Sequence, residues 1–371
     1  MTALYITIAA VGLVIVTELM ARALLLRGRY YVWSPTSCEN LEPDPEVHPQ
    51  LERQVRFQVN SLGERGAPPP GAGTFRILAV GGSAVECYLL DQDSSWPEVM
   101  ARRLRSVVPG RSGVHIGNIG KSGVDSRTLD YMLEKVLPNY ADLDLILIMV
   151  GASDVLRWLE RGAPSGGVCE PMNVSQCFYR HPEKRFSWNP KCTAYAELIR
   201  YLLARRTTTR PRAAKWYGKA RAMRAAAERV REEYGDDAEV MRQFEKYFRS
   251  CLERSSLAAK KVLVVRQPWF EKQQYLPDEE RLFWNGGIGK AYKEEIKEYF
   301  SSRVICRLMG EIDRRATSLC AELQIPQLDL MPVLERSTAT YFDHFHFTPA
   351  GSERVADAVA EAVISLEGWG S

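Results

Sequence analysis

Phe75-Arg76-Ile77-Leu78-Ala79-Val80-Gly81-Gly82-Ser83 is the stretch on which the fold turns. Phe75 to Val80 has the apolar run of a buried strand, and the Gly-Gly-Ser that follows is turn chemistry. A strand that stops there can present a serine hydroxyl at the edge of a sheet. Near the other end of the chain, Phe342-Asp343-His344-Phe345-His346-Phe347-Thr348-Pro349-Ala350-Gly351 sets an Asp three residues before a His, just ahead of a predicted helix. A serine, an imidazole and a carboxylate are the parts of a nucleophilic acyl-transfer site. Only folding could join the two stretches.

Outward from Phe75 the pattern alternates. Ser94 to Val108 reads as a helix, with Trp96, Val99, Met100, Leu104 and Val107 at helical spacing. Val114 to Asn118 reads as a strand and Ser126 to Leu137 as a helix. Leu143 to Val150 is a continuous apolar run, as in a strand covered on both faces. Lys261 to Val265 and Ile325 to Leu328 are further strands, and Thr348-Pro349-Ala350 opens the last helix. Strands alternating with helices predict an α/β fold, a parallel sheet in a three-layer α/β/α sandwich.

Three regions fall outside that pattern. Residues 1–29 form the first. Ala3 to Val16 is apolar except for Thr7, and the character continues unevenly to Leu26, interrupted by Thr17, Glu18 and Arg22. About 20 mostly apolar residues span a bilayer, so a transmembrane helix is expected, with Glu18 and Arg22 paired at the interface through their i,i+4 spacing. Residues 30–73 read as a linker or cap. Pro35, Pro43, Pro45 and Pro49 punctuate it, Val55 to Val59 alternates like a short strand, and Pro68-Pro69-Pro70-Gly71 closes it. The remainder, 74–371, reads as the catalytic domain, carrying an insertion over 155–258. Within the insertion, 155–195 is loop-rich, and 196–258 reads as helices separated by Thr207-Thr208-Thr209-Arg210-Pro211 and Gly235-Asp236-Asp237. From Arg200 to Arg231 eleven Lys or Arg face one acidic residue, Glu228. That run suits either a lid over an anionic substrate or membrane surface, or a solvated helix face.

Composition excludes little. The 371 residues are 46% hydrophobic and 26% charged, ordinary for a globular chain, and a net charge of +3 is too small to imply a nucleic-acid partner. The membrane face is argued both ways. Arg22, Arg27 and Arg29 after the apolar helix favour a cytoplasmic domain. Cys169, Cys177 and Cys192 cluster in a loop-like region, as either disulfides of an oxidising compartment or free thiols, and Asn173-Val174-Ser175 is a glycosylation sequon. An extracytoplasmic catalytic domain is the expectation. No spacing matches a Cys-x-x-Cys zinc site.

Four short blocks resemble those of an SGNH hydrolase, a branch of the GDSL esterase and lipase superfamily, over roughly residues 75–154 and 260–365. Gly81-Gly82-Ser83 stands for Gly-Asp-Ser, with Gly82 at the position of the Asp. The resemblance implies that Ser83 is the nucleophile and that its backbone N–H is one oxyanion donor. Asn118-Ile119-Gly120-Lys121-Ser122-Gly123-Val124-Asp125-Ser126 resembles the second block and implies a backbone donor at Gly123, with Gly120 as the other candidate. Gly151-Ala152-Ser153-Asp154 departs from Gly-x-Asn-Asp. Ser153 occupies the place of the Asn donor, and losing one such donor typically costs about 10²–10³ in rate. Asp154 is expected to hold this loop as an acceptor. Asp343-His344-Phe345-His346 matches Asp-x-x-His, which implies His346 as general base and Asp343 as the group that orients it. His344 makes a His-x-His pair that a metal could use, with no further ligands to complete a site. Phe57 to Gly66 is similar to a segment upstream of the nucleophile in membrane-anchored members.

The resemblance implies a serine esterase working through an acyl-enzyme, with an O-acetyl or other O-acyl group on a carbohydrate as the substrate and no cofactor. An O-acyltransferase using the same triad, or a non-catalytic binding or assembly protein on the same fold, are the alternatives.

Overall fold

Leu143-Asp144-Leu145-Ile146-Leu147-Ile148-Met149 is buried at every position. An unbroken buried run of this kind requires cover on both faces, and the architecture supplies it. The computed structural model describes residues 1–26, 28–69, 71–166, 171–204 and 207–369. Its strands, in chain order, are β1 (Cys38–Pro43), β2 (Val55–Gln58), β3 (Phe75–Gly81), β4 (Val114–Asn118), β5 (Leu143–Met149), β6 (Thr208–Ala213), β7 (Arg229–Arg231), β8 (Ala259–Val265), β9 (Glu298–Phe300) and β10 (Gln327–Leu328). Five of them form one parallel sheet in the order β10-β8-β5-β3-β4. Alternate side chains along each strand feed two separate cores. Leu78, Val80, Ile146, Ile148 and Val264 pack against the helices Ser126–Val136, Ala238–Ala258 and Ser302–Glu322. Ile77, Ala79, Leu145, Leu147 and Leu263 pack against Trp96–Arg105 and Pro349–Glu367. These are the three expected layers.

The one polar residue in the β5 run, Asp144, is compensated. Arg111 Nη2 lies 3.0 Å and Lys260 Nζ 2.7 Å from its carboxylate, and the Arg76 amide donates to it at 2.9 Å.

The order also fixes where a site belongs. From β3 the chain winds outward to β4, then returns past β3 to β5, β8 and β10. Successive connections therefore diverge between β3 and β5, and a crevice opens at the carboxyl ends of those strands. Gly81-Gly82-Ser83 and Val150-Gly151 lie there.

The regions outside the sandwich differ from their sequence reading in two respects. The insertion is shorter than 155–258. Val155, Trp158 and Leu159 of the Ala152–Leu159 helix, and Phe244, Phe248 and Leu252 of Ala238–Ala258, all lie in the core against the sheet. Those helices cover the sheet, and the insertion proper is about residues 160–237. The break expected between its helices at 207–211 is also more than a loop. Thr208 to Ala213 is strand β6, which pairs in parallel with β1 of the 30–73 segment, while β1 pairs antiparallel with β2. The two threonines favour an extended backbone, and Pro211 is tolerated because β6 is an edge strand. The result is a small second sheet, β2-β1-β6, that joins the cap to the insertion. A two-stranded sheet, β7 with β9, ties the end of the insertion to residues 298–300.

The N-terminal helix runs Thr2–Leu26 and is long and apolar enough to cross a bilayer, a test that a signal sequence also passes. Leu4, Ile6, Ile8, Leu13, Val14 and Val16 are exposed. Its last turns are not. Glu18 pairs with Arg22 at 2.8 Å, as the spacing predicts, and also accepts the Ala194 and Tyr195 amides at 2.9 Å each. The Glu18 carboxylate thus satisfies two first-turn donors of the Ala194–Ala204 helix. Cys38, Cys87, Cys177, Cys192, Cys251, Cys306 and Cys320 are free thiols; Cys169 lies outside the described residues.

Candidate active site

β3 delivers Ser83 through a turn that only glycine can make. Gly81 has φ +154°, and a Cβ there would lie 1.9 Å from the Met149 carbonyl oxygen of β5. The Gly82 amide donates to that same carbonyl at 3.3 Å. Ser83 then opens a four-residue helix, Ser83–Glu86, that ends at Cys87 in the left-handed region, φ +52°. A non-glycine residue held there needs support from its surroundings. Arg65, from the 30–73 segment, gives it. Its buried guanidinium donates to the carbonyls of Glu86 and Cys87 at 2.5 Å each and of Leu90 at 2.7 Å.

Above this turn the structure brings the two distant stretches together. Ser83 Oγ lies 2.7 Å from His346 Nε2, and His346 Nδ1 lies 2.7 and 2.9 Å from the two Asp343 oxygens. With Nδ1 protonated toward Asp343, Nε2 is free to accept the Ser83 hydroxyl proton. Asp343 is fully buried, and its carboxylate also accepts from the amides of Phe345 at 2.9 Å and His346 at 3.0 Å, and from Trp284 Nε1 at 2.8 Å. Burial pushes the Asp343 carboxyl up. The His346 charge and hydrogen bond, with the Phe345 and Trp284 donors, outweigh it and hold the group well below its usual range. Burial pulls the His346 imidazole down, yet the Asp343 charge and hydrogen bond, with a smaller push from Glu86, leave it raised above 6.5.

The remaining expected residues fall around Ser83. The Ser83 N–H is a first-turn amide with no intrahelical acceptor. Gly120 has its amide committed to Asn118 Oδ1 at 2.8 Å, whereas Gly123 sits at φ +74° in an exposed turn with open space around it. Ser153 is the second residue of the Ala152–Leu159 helix. A Cβ on Gly82 would lie 3.9 Å from Ser153 Oγ and 3.5 Å from the Val124 carbonyl oxygen, so the three blocks converge on one turn. Asp154 holds the loop. It accepts from Ser126 N at 3.0 and 3.1 Å and Ser126 Oγ at 2.5 Å, and loss of water contact, then the nearby Asp125 charge, pushes its carboxyl up to about 8. His344 points away from the triad: it stacks on Phe283 at 3.7 Å and lies 3.0 Å from Ser302 Oγ.

Several residues that shape the site carry no signal in the sequence. Trp284, which donates to Asp343, lies in an irregular stretch between β8 and β9. Glu86 is buried beside the triad and bonded to the Ser122 hydroxyl; burial pushes its carboxyl up against the pull of Ser122 and Lys121. Arg221 and Arg224, from the basic run, are neither a lid for an anion nor a solvated face. Arg221 donates to the carbonyls of Val47, Leu282 at 3.0 Å and Phe342 at 2.9 Å, and Arg224 to those of Asn285 and Phe300. Ser83 and His346 open into a cavity of about 740 Å³. Trp33 and Phe57 of the cap, Tyr88 of the loop after Ser83, and Tyr179, Trp216 and Tyr217 of the insertion line it.

The parallel sheet and its two helical layers form a three-layer α/β/α sandwich, and the four blocks that resemble those of an SGNH hydrolase gather at its carboxyl edge. No family model matches the chain, and no curated protein matches it in sequence. Among solved structures it is similar to a member of the lipolytic protein G-D-S-L family from Veillonella parvula, at 11% identity and TM-score 0.42, over 77% of this chain and 96% of that one. An acetylxylan esterase from Geobacillus stearothermophilus aligns at 13% identity and TM-score 0.43, over 78% and 95%. An alpha/beta hydrolase enzyme from the metagenome of Lake Arreo aligns at 12% and 0.43, over 79% and 96%.

Proposed function

We propose that this chain is a membrane-anchored serine esterase. The observation that carries the reading is the continuous hydrogen-bonded line from Ser83 Oγ through His346 to a buried, ionised Asp343. In the first step His346 Nε2 takes the Ser83 proton as Oγ attacks the ester carbonyl. The oxyanion is met by the amides of Ser83 and Gly123, with Ser153 in the place of a side-chain donor. His346 returns its proton to the departing alcohol, and an acyl-enzyme remains on Ser83. Water, deprotonated by the same imidazole, then releases the acid. Asp343 stabilises the imidazolium in both steps.

The substrate in this reading is an O-acetyl or other O-acyl group on a carbohydrate, so the reaction is polysaccharide deacetylation or its close analogue. The cavity supports it: aromatic faces of Trp33, Tyr88 and Trp216 stand beside the polar Glu39 and Arg210. A few fixed polar groups among aromatic walls suit a polyhydroxylated ligand. The catalytic domain faces the extracytoplasmic side in this reading. The free thiols of Cys177 and Cys192 lend that side no support, and a membrane-impermeant maleimide on intact cells, read at exposed Cys192, decides it.

The test of the chemistry is a fluorophosphonate label mapped to its residue. Modification at Ser83 supports the proposal, and a fold-intact protein that takes no label there ends it. The raised imidazole sets the pH dependence. His346 must be neutral to accept the proton, so kcat/KM should fall as pH drops through a pKa above 6.5. A kcat/KM with no acid limb at all would remove His346 as the base.

A further inference from the structure

The Ala194–Ala204 helix of the insertion has two apolar faces, and only one is covered. Leu198 and the buried Ala194 pack on Ala21 and Leu25 of the N-terminal helix, with Phe186 beside them. On the other side Tyr195, Ile199, Leu202 and Leu203 are 49%, 41%, 53% and 52% exposed. Their spacing of four, three and one residues puts them in one stripe. The helix's only carboxylate, Glu197, is turned to Lys184 at 2.7 Å and Arg200 at 3.1 Å, which leaves the stripe uncharged.

We infer that this helix lies in the surface of the bilayer that the N-terminal helix crosses, so that the catalytic domain is docked on the membrane as well as tethered to it. The inference rests on the reading of Thr2–Leu26 as a membrane span. Four observations choose lipid as what covers the stripe. The first is depth. The apolar run of the span ends at Val16, and Glu18, the next charged residue, holds the first-turn amides of Ala194 and Tyr195. The insertion helix therefore begins at the level where the span leaves the hydrocarbon. The second is continuity: the helix that carries the stripe packs on Ala21 and Leu25 of the span, whose neighbours Leu19, Met20 and Leu24 are themselves exposed. The third is the rim. Trp188, 56% exposed, lies under the Arg22 guanidinium at 5.0 Å, and Tyr195 sits at the helix start, both amphipathic rings suited to the headgroup region. The fourth is charge. Arg200 lies on the same helix and donates to the carbonyl of Lys191 just before it, and Arg22 stands over Trp188, a cationic rim that matches anionic headgroups.

Docking at this point sets the height of the active site. The Tyr179 amide donates to Tyr31 O at 2.9 Å, and Arg180 donates to Leu24 O at 3.0 Å, so the insertion is bonded to the chain on both sides of the span's end. Tyr179 also lines the cavity that holds Ser83 and His346. The cavity is thereby held next to the membrane surface, where it meets esters carried at that surface in preference to esters free in solution.

The test uses the full chain in vesicles of phosphatidylcholine and phosphatidylglycerol, with a diazirine on the phosphatidylcholine acyl chain. After irradiation and digestion, mass spectrometry maps the lipid adducts. Adducts within residues 2–17 and within 195–203 are the expected result. Replacing two exposed side chains together, Ile199→Gln with Leu202→Gln, should cut the 195–203 adducts about tenfold and leave those of 2–17 unchanged. Adducts confined to 2–17 overturn the docking and leave the span standing, whether the stripe is bare or a second copy of the chain covers it. Adducts on neither segment remove the span and the docking with it.

Discussion

The turn that carries Ser83 and the walls of the cavity above it are built by different means. The turn is made of backbone pressed on backbone: Gly81 against Met149, Gly82 bonded to Met149, and Arg65 bonded to three carbonyls just beyond. The walls are side chains from three separate segments, brought together by the β2-β1-β6 sheet and by single contacts such as Lys121 Nζ on the carbonyls of Val32 and Cys177. Tight backbone packing fixes a reacting atom to within a fraction of an ångström, whereas ring walls tolerate substitution. Chemistry should therefore be set at the turn, and substrate preference at the walls.

That division can be broken or sharpened by substitution. Ser83→Ala should lower turnover of a short-chain p-nitrophenyl ester by about 10⁴-fold or more, with an unchanged circular dichroism spectrum. Retained turnover would remove Ser83 from the mechanism. Trp284→Phe keeps the ring packing against Trp216 and Tyr217 but deletes one donor to Asp343. A hydrogen bond to a buried charge is worth about 1.5–3 kcal/mol, so kcat should fall roughly 10- to 100-fold. Trp216→Ala acts on the wall. KM for an acylated oligosaccharide should rise about tenfold while p-nitrophenyl acetate turnover stays near the parent value. An equal loss on both substrates would show that wall and turn are one unit. Ser153→Asn should leave activity within about tenfold of the parent or raise it, since the longer amide extends toward the turn. A large loss would mean the turn has been rebuilt around a hydroxyl.

The two regions also differ in how much of them the sequence exposes. β3, β4, β5 and β8 are visible because burial on both faces forces continuous apolar runs, and the helices between them because one face must be apolar. The block residues are visible for a related reason: short local patterns such as Asp343-x-x-His346 place two groups on one loop, and the structure sets them within hydrogen-bond reach of Ser83. β6 is hidden because its partner β1 lies some 170 residues away, and an edge strand of Thr, Arg and Pro has no periodic burial. Trp284 and Arg221 are hidden because their partners, Asp343 for the one and Val47, Leu282 and Phe342 for the other, all lie far away in sequence. Glu18 was legible as half of an ion pair and not as the cap of a helix 176 positions later.

Arg221 has a consequence for any attempt to simplify this chain. One guanidinium spans the cap at Val47, the insertion's own helix and the carbonyl of Phe342, the residue before Asp343. A version trimmed to the sheet and its flanking helices would keep most of its hydrophobic layers, less Leu41, Val55 and Phe178, but lose the brace on the loop of Asp343 and His346. Such a stripped-down protein should fold and be sluggish, with its imidazole wandering. The additions to this sandwich are then structural members of the proposed site, and a domain boundary drawn around the sheet alone would cut through it.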